Sequence, residues 1–217
     1  MANHTDSLGF YAAEVLQRTA ARQPDKTAII AKEEELTFAA LNQRVQALAG
    51  HLIADGIRQG DRVGVLLPNS TAIPLAYYST QKIGAVTVIL DARLKGKELE
   101  GVLLDADLKL LVVHQTLYSE VEEIFKTIAP IPVWIAGATG ERGFEHRFTA
   151  TAGATYLPQL EPDDDALILY TSGTTGEPKG VVLSYRNLLQ YPAVMGAMNV
   201  CDATTMRGCG LPMSHIV

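Results

Sequence analysis

The sequence predicts an α/β fold built on a mostly parallel sheet. Two observations carry this expectation. Short apolar runs that read as buried strands alternate with segments of helical apolar spacing along most of the chain. Cap and turn residues then punctuate the alternation, as at Pro24, Gly56 and Pro68-Asn69-Ser70. A sheet built this way is covered by helices on both faces.

The elements follow in order. Leu8 to Arg22 repeats apolar residues near helical spacing (Leu8, Tyr11, Ala12, Val15, Leu16) and stops at Pro24. Thr27 to Ala31 reads as a short strand, and Lys32 to Glu35 as a charged turn before Leu36-Thr37-Phe38. A second helix carries Leu41, Val45, Leu48 and Leu52 on one stripe, with Gly56 just past its end as a cap. Arg62 to Leu67 is a buried strand, followed by helix Ile73 to Ile83, strand Ala85 to Ile89 and helix Lys97 to Leu104. Strand Lys109 to Val113, helix Leu117 to Ile128 and strand Val133 to Ile135 continue the rhythm. Residues 1–136 thus form an α/β part. Residues 137–165, rich in Gly, Ala and Thr, form an irregular, partly mobile connector. Residues 166–217 begin with a strand, Ala166 to Tyr170, and pass through a loop to a second short strand, Val181-Val182-Leu183, and a helix from near Ser184.

That loop carries the chemistry. Tyr170-Thr-Ser-Gly-Thr-Thr-Gly-Glu-Pro-Lys-Gly-Val181 concentrates glycines, hydroxyls and one lysine in a dozen positions. Gly173, Gly176 and Gly180 let the backbone approach a ligand closely, and successive N–H groups in such a turn make a nest for anionic oxygens. Thr171, Ser172, Thr174 and Thr175 add hydroxyl donors, and Lys179 a mobile positive charge. The stretch reads as a triphosphate cradle. It is not a Walker A loop, because the sixth position from Gly173 is Pro178 and Lys179 is followed by Gly180 and an apolar strand. A plain Gly-rich hairpin is the alternative, but tight hairpins need only one or two turn residues.

Composition narrows the classes. A net charge of −6 argues against general nucleic-acid binding. No run approaches the roughly 18 apolar residues of a membrane span, and Met1 to Ser7 lack the basic start and apolar core of a signal peptide. Cys201 and Cys209 are too few for a disulfide scaffold, so the expected setting is cytoplasmic with reduced thiols. Those cysteines with His215 lack the close spacing of a zinc site. Asp163-Asp164-Asp165 reads as a solvated acidic turn, Lys95 and Lys97 as flanks of a helix start, and His51 and His114 as core or surface residues.

The loop resembles, nearly letter for letter, the signature of the adenylate-forming enzymes, which include acyl- and aryl-CoA synthetases. Other stretches resemble that family's motifs in the same order. They are Leu36-Thr37-Phe38 with Leu41, then Gly60-Asp61-Arg62-Val63 through Leu67-Pro68-Asn69-Ser70. Lys82-Ile83-Gly84-Ala85-Val86, Leu90-Asp91 and Leu211-Pro212-Met213-Ser214-His215 follow. The resemblance implies ATP-dependent activation of a carboxylic acid to an acyl-adenylate, then thioesterification, with coenzyme A the commonest acceptor. It implies that the loop and Lys179 hold the β- and γ-phosphates and that Mg2+ bridges phosphate oxygens near the Thr171 hydroxyl. By the same resemblance, His215 lies beside the acyl pocket and the adenylate. Catalysis of this kind rests on positioning and charge neutralisation more than on acid–base help.

Two departures refine the picture. Tyr185-Arg186-Asn187 stands where the family has His-x-Asn, and the tyrosine there is expected to pack or cap the helix. Met213-Ser214-His215 lacks the Phe-Asp with which amino-acid-activating relatives hold an ammonium group, which favours a fatty or aryl acid. The chain also stops at Val217 inside a motif, so the resemblance implies an N-terminal fragment, inactive alone, whose open edge near Gly208 to Val217 favours a homodimer. A non-catalytic nucleotide-binding or interaction module is the alternative. A P-loop kinase or ATPase is disfavoured by the Pro-Lys-Gly order.

Overall fold

A computed structural model describes residues 12–149, 158–171, 178–190 and 213. Helix α1 (Ala12–Arg22) leads into an antiparallel pair, β1 (Thr27–Ile30) and β2 (Glu35–Thr37), and then into helix α2 (Phe38–Ala54). Strands and helices then alternate through β3 (Arg62–Leu66), α3 (Ala72–Lys82), β4 (Val86–Ile89) and α4 (Gly96–Asp105). After these come β5 (Leu108–His114), α5 (Gln115–Ile124) and β6 (Val133–Ala136). Strands β7 (Asp165–Thr171) and β8 (Lys179–Ser184) follow, and residues 185–190 are helical. The α/β sheet expected from the alternation is present, six-stranded, in the order β6-β5-β3-β4-β7-β8. Every neighbouring pair is parallel except β7 with β8.

The apolar runs explain the layering. Successive residues of a strand point to opposite faces. Val63 and Val65 of β3 and Leu110 and Val112 of β5 join one core with α1, α2 and α3. Leu66, Leu111, Val113, Val86 and Val88 join the other, beneath α4 and α5. Leu48 of α2 is wholly buried in the first core, a burial that stabilises by about 1.5–3 kcal/mol. Helix α2 stops where the sequence marks it. Gly56 takes φ +89°, which lets the Ile57 N–H reach Leu52 O (2.9 Å) and its own N–H reach Ile53 O (3.1 Å). This pairing satisfies two of the helix's last carbonyls.

Three local readings shift. Glu35 belongs to β2 rather than to the preceding turn, because it registers opposite Ile30. Helix α5 starts two residues early, since His114 Nδ1 accepts from Thr116 N (3.3 Å) as its N-cap. It also ends earlier, at Ile124, beyond which Thr127 N bonds Ile124 O in a tighter turn. The first described part of the connector, 137–149, is irregular but packed against the fold. Phe144 is fully buried against the first core. It makes an edge contact with Phe148 (5.5 Å between centroids), and Arg147 lies 4.5 Å over Trp134. A short 3₁₀ turn, Glu145–Phe148, carries these contacts. Residues on both sides of the connector supply strands to the same sheet. No helix among the described residues is long and apolar enough to cross a membrane. The edge near 208–217, on which a dimer is expected, lies outside the described residues apart from Met213.

Candidate functional site

Strand topology sets where a ligand belongs. From β3 the chain moves to β4 on one side and then crosses back to β5 on the other. Ligands of such sheets bind beyond the carboxyl ends of the strands near this reversal. At that edge the sequence has Pro68-Asn69-Ser70 after β3 and Leu90-Asp91 after β4, with Thr171 at the end of β7. The opposite edge holds a groove of about 530 Å³ lined by Gln59, Gly84, Asp163, Asp164 and Asp165. Its carboxylates would repel phosphate, so it is no rival for the nucleotide.

The phosphate loop has the strand–loop–strand–helix setting read from the sequence. Thr171 closes β7, Lys179 opens β8, and the two are registered partners. Thr171 Oγ1 donates to Lys179 O at 3.5 Å, at the outer limit of a hydrogen bond. Both side chains sit at the exposed mouth of the loop, and among the described residues no carboxylate pairs with the Lys179 ammonium. The hydroxyl and the cation therefore lie side by side, exposed, at the two ends from which the loop departs. Ser172, Gly173, Thr174, Thr175 and Gly176 lie outside the described residues, as does His215.

The stems of the loop are tied down by contacts that sequence spacing does not show. Tyr170 Oη donates to Asp105 Oδ2 (2.6 Å), a residue at the end of α4. Burial first, and then this bond and the carboxylate's charge, push the phenol pKa well above its usual value. Asp163 receives two bonds from Arg186 (2.7 and 3.1 Å). The bonds from Arg186, and then its charge, hold that carboxyl below its ordinary range. Asn187 Oδ1 accepts from both Ser184 N and Ser184 Oγ (3.0 Å each) and so fixes the exit of β8. Tyr185, where the family pattern has histidine, is buried, with only 1% of its surface exposed. The acidic turn at 163–165 is thus partly engaged rather than simply solvated.

A second strap reaches the carboxyl edge from the N-terminal hairpin. Glu33 Oε1 accepts from Thr71 N (2.7 Å) at the start of α3, and Glu34 Oε1 accepts from Thr71 Oγ1 (2.8 Å). Arg44 Nη1 donates to both oxygens of Glu34 (2.8 and 2.7 Å) and stacks 4.7 Å over Phe148. These contacts hold the turn that presents Asn69, whose Oδ1 accepts from Met213 N (2.8 Å). Met213 is thereby brought to the turn that follows β3. Glu33, Glu34 and Asp105 were not legible as site supports, because their partners lie 38, 37 and 65 positions away. Among the described residues no cluster of three or more His, Cys, Asp or Glu is arranged to hold a metal ion.

Comparison with known proteins agrees with this geometry. The family described as AMP-binding enzyme matches residues 16–217. The chain is 35% identical over 178 residues to a crotonobetaine/carnitine–CoA ligase of Salmonella paratyphi C, covering 76% of this chain and 34% of that protein. It is 30% identical over 209 residues to a 2-succinylbenzoate–CoA ligase of Bacillus thuringiensis subsp. konkukian, covering 93% and 38%. Among solved structures, a long-chain-fatty-acid–CoA ligase from Archaeoglobus fulgidus superposes with a TM-score of 0.83 at 29% identity, over 94% of this chain and 42% of that one. An anthranilate CoA ligase in complex with anthranoyl-AMP superposes with a TM-score of 0.78 at 26% identity, over 90% and 38%. The chain therefore spans a little over a third of the length of the curated relatives it matches.

Proposed function

The chain belongs to the AMP-binding enzyme family, and from that premise we propose that the protein carrying it activates a fatty or aryl carboxylic acid. The acid is joined to ATP as an acyl-adenylate with release of pyrophosphate, and the acyl group then passes to the thiol of coenzyme A. The observation that carries this reading is the registered pair Thr171 and Lys179 at the mouth of the loop, on the carboxyl edge of the sheet. The loop residues Ser172 to Gly176 supply backbone and hydroxyl donors to the β- and γ-phosphates. Lys179 neutralises charge that grows on the departing pyrophosphate, an effect that preorganised cations deliver without rearrangement.

Thr171 fits a Mg2+ ion, because among the described residues its hydroxyl oxygen has only the long contact to Lys179 O and it stands exposed. A hard divalent cation takes oxygen ligands of this kind and, when bound, draws phosphate charge toward itself. His215, on the motif held by Asn69 through Met213 N, lines the acyl side. ATP and coenzyme A as co-substrates agree with a cytoplasmic setting. Spanning a little over a third of its relatives' length, the 217-residue chain alone binds nucleotide without completing adenylation.

Carboxylate-dependent ATP–pyrophosphate exchange tests this. The full-length gene product exchanges with a suitable fatty or aryl acid, and Lys179→Ala slows it by roughly 100-fold. An unchanged rate in that variant removes Lys179 from the phosphate site. Saturable ATP binding by the full-length product with no exchange for any acid would instead favour a non-catalytic nucleotide-binding module.

A further inference from the structure

We propose that Tyr170 and Asp105 form a positioning pair that fixes the stem of the phosphate loop, so that ATP affinity depends on a phenol hydroxyl turned away from the loop toward α4. The proposal rests on the nucleotide-binding reading above and extends it to residues that touch no phosphate. Tyr170 stands one residue before Thr171, and its registered partner is Gly180, one residue after Lys179. The two therefore sit at equal depth on the stems from which the loop springs. Tyr170 Oη donates to Asp105 Oδ2 at 2.6 Å, and its raised pKa keeps it a donor throughout the neutral range.

The surroundings are fitted to that ring. It packs on the cluster containing Leu66, Val88 and Ile168. A methyl group on Gly180 would lie 3.3 Å from Tyr170 Cζ, 3.4 Å from Oη and 3.2 Å from Ile168 Cγ2. The glycine opposite thus leaves the ring its place, and an alanine there would press on it. Asp105 is the unusual partner. It ends α4, a helix with no basic residue in its last turn, where a carboxylate opposes the helix dipole. The phenol offsets that penalty through a charge-assisted bond. Arg62 Nη1 donates to Ala106 O (3.2 Å), which anchors the neighbouring residue to the start of β3. Phenylalanine would meet every apolar contact of the ring. The hydroxyl adds a tie across 65 positions of sequence, from the loop's stem to a helix packed on the sheet.

Calorimetric titration of the chain with Mg-ATP and with AMP, together with hydrogen exchange at residues 179–181 and thermal midpoints, tests the pair. Tyr170→Phe should weaken ATP binding about fivefold, the loss of one exposed charge-assisted bond. It should leave AMP affinity and the thermal midpoint in place and speed exchange at 179–181. Asp105→Leu should reproduce this pattern. Asp105→Asn, which keeps an acceptor oxygen, should stay within about twofold of the unsubstituted chain. Unchanged ATP affinity in both Tyr170→Phe and Asp105→Leu, while Lys179→Ala abolishes binding, overturns the pair and leaves the nucleotide site standing. Should the unsubstituted chain bind no ATP, the nucleotide reading of this chain fails, and exchange alone decides the pair. Unchanged protection at 179–181 in Tyr170→Phe then overturns it, and faster exchange supports it.

Discussion

The described residues contain two antiparallel strand pairs, and they are held in opposite ways. In β1–β2, Leu36 is buried to 2% exposure, and Phe38 N and Ala39 N bond back to Lys26 O and Pro24 O. The turn between the strands is pinned by carboxylates to α2 and α3. In β7–β8, the inner strand is buried but β8 is the outermost strand among the described residues, with Val181 and Val182 nearly half exposed. Its stems are secured by backbone pairing and by a few exposed polar ties, Tyr170 to Asp105 and Arg186 to Asp163. The first pair is scaffold, and stability resides in it. The second carries the stems of the loop proposed to hold phosphate, and ligand-binding segments belong to the less protected part of a fold.

Substitutions at three positions break or sharpen this contrast. The largest effect is expected from Leu36→Ala in the scaffold pair, a loss of about 2–5 kcal/mol for a large-to-small change in a packed core, read as a drop in the urea midpoint. A smaller effect follows from Glu34→Ala, about 2 kcal/mol, because it strips Arg44 and Thr71 of partners in a site where both charges are about a quarter exposed. Glu34→Gln should recover part of that loss by keeping an acceptor for the Thr71 hydroxyl. The smallest is Val182→Thr on β8, within about 0.5 kcal/mol, as for exposed positions away from special features. A destabilisation by Val182→Thr equal to that of Leu36→Ala would erase the distinction between the two pairs.

Much of this was legible beforehand, for identifiable reasons. Helix α2 was readable because its apolar stripe, Leu41, Val45, Leu48 and Leu52, repeats at the helical period and Gly56 marks its end. Strands β3, β4 and β5 were readable because burial on both faces demands unbroken apolar runs. The loop stems at Thr171 and Lys179 were readable because phosphate chemistry needs glycines, hydroxyls and a lysine in a short span. The boundaries of α5 were not, since His114 acts as a cap through its ring and no periodicity records that. Nor was the docking of 137–149, where one aromatic, Phe144, decides whether an otherwise featureless segment lies on the core.

The sequence by itself determined the class of the sheet and the family, and it singled out the residues proposed to face a nucleotide. Those properties are written in local patterns: hydrophobic period, turn chemistry and a contiguous motif. Tertiary structure alone decided which distant groups hold those residues in place. Asp105 under Tyr170, Glu33 and Glu34 at the head of α3, and Asn69 beneath Met213 are each joined by a hydrogen bond across tens of positions. A hydrogen bond depends on distance and direction in space. No spacing along the chain encodes either until the sheet has brought its edges together.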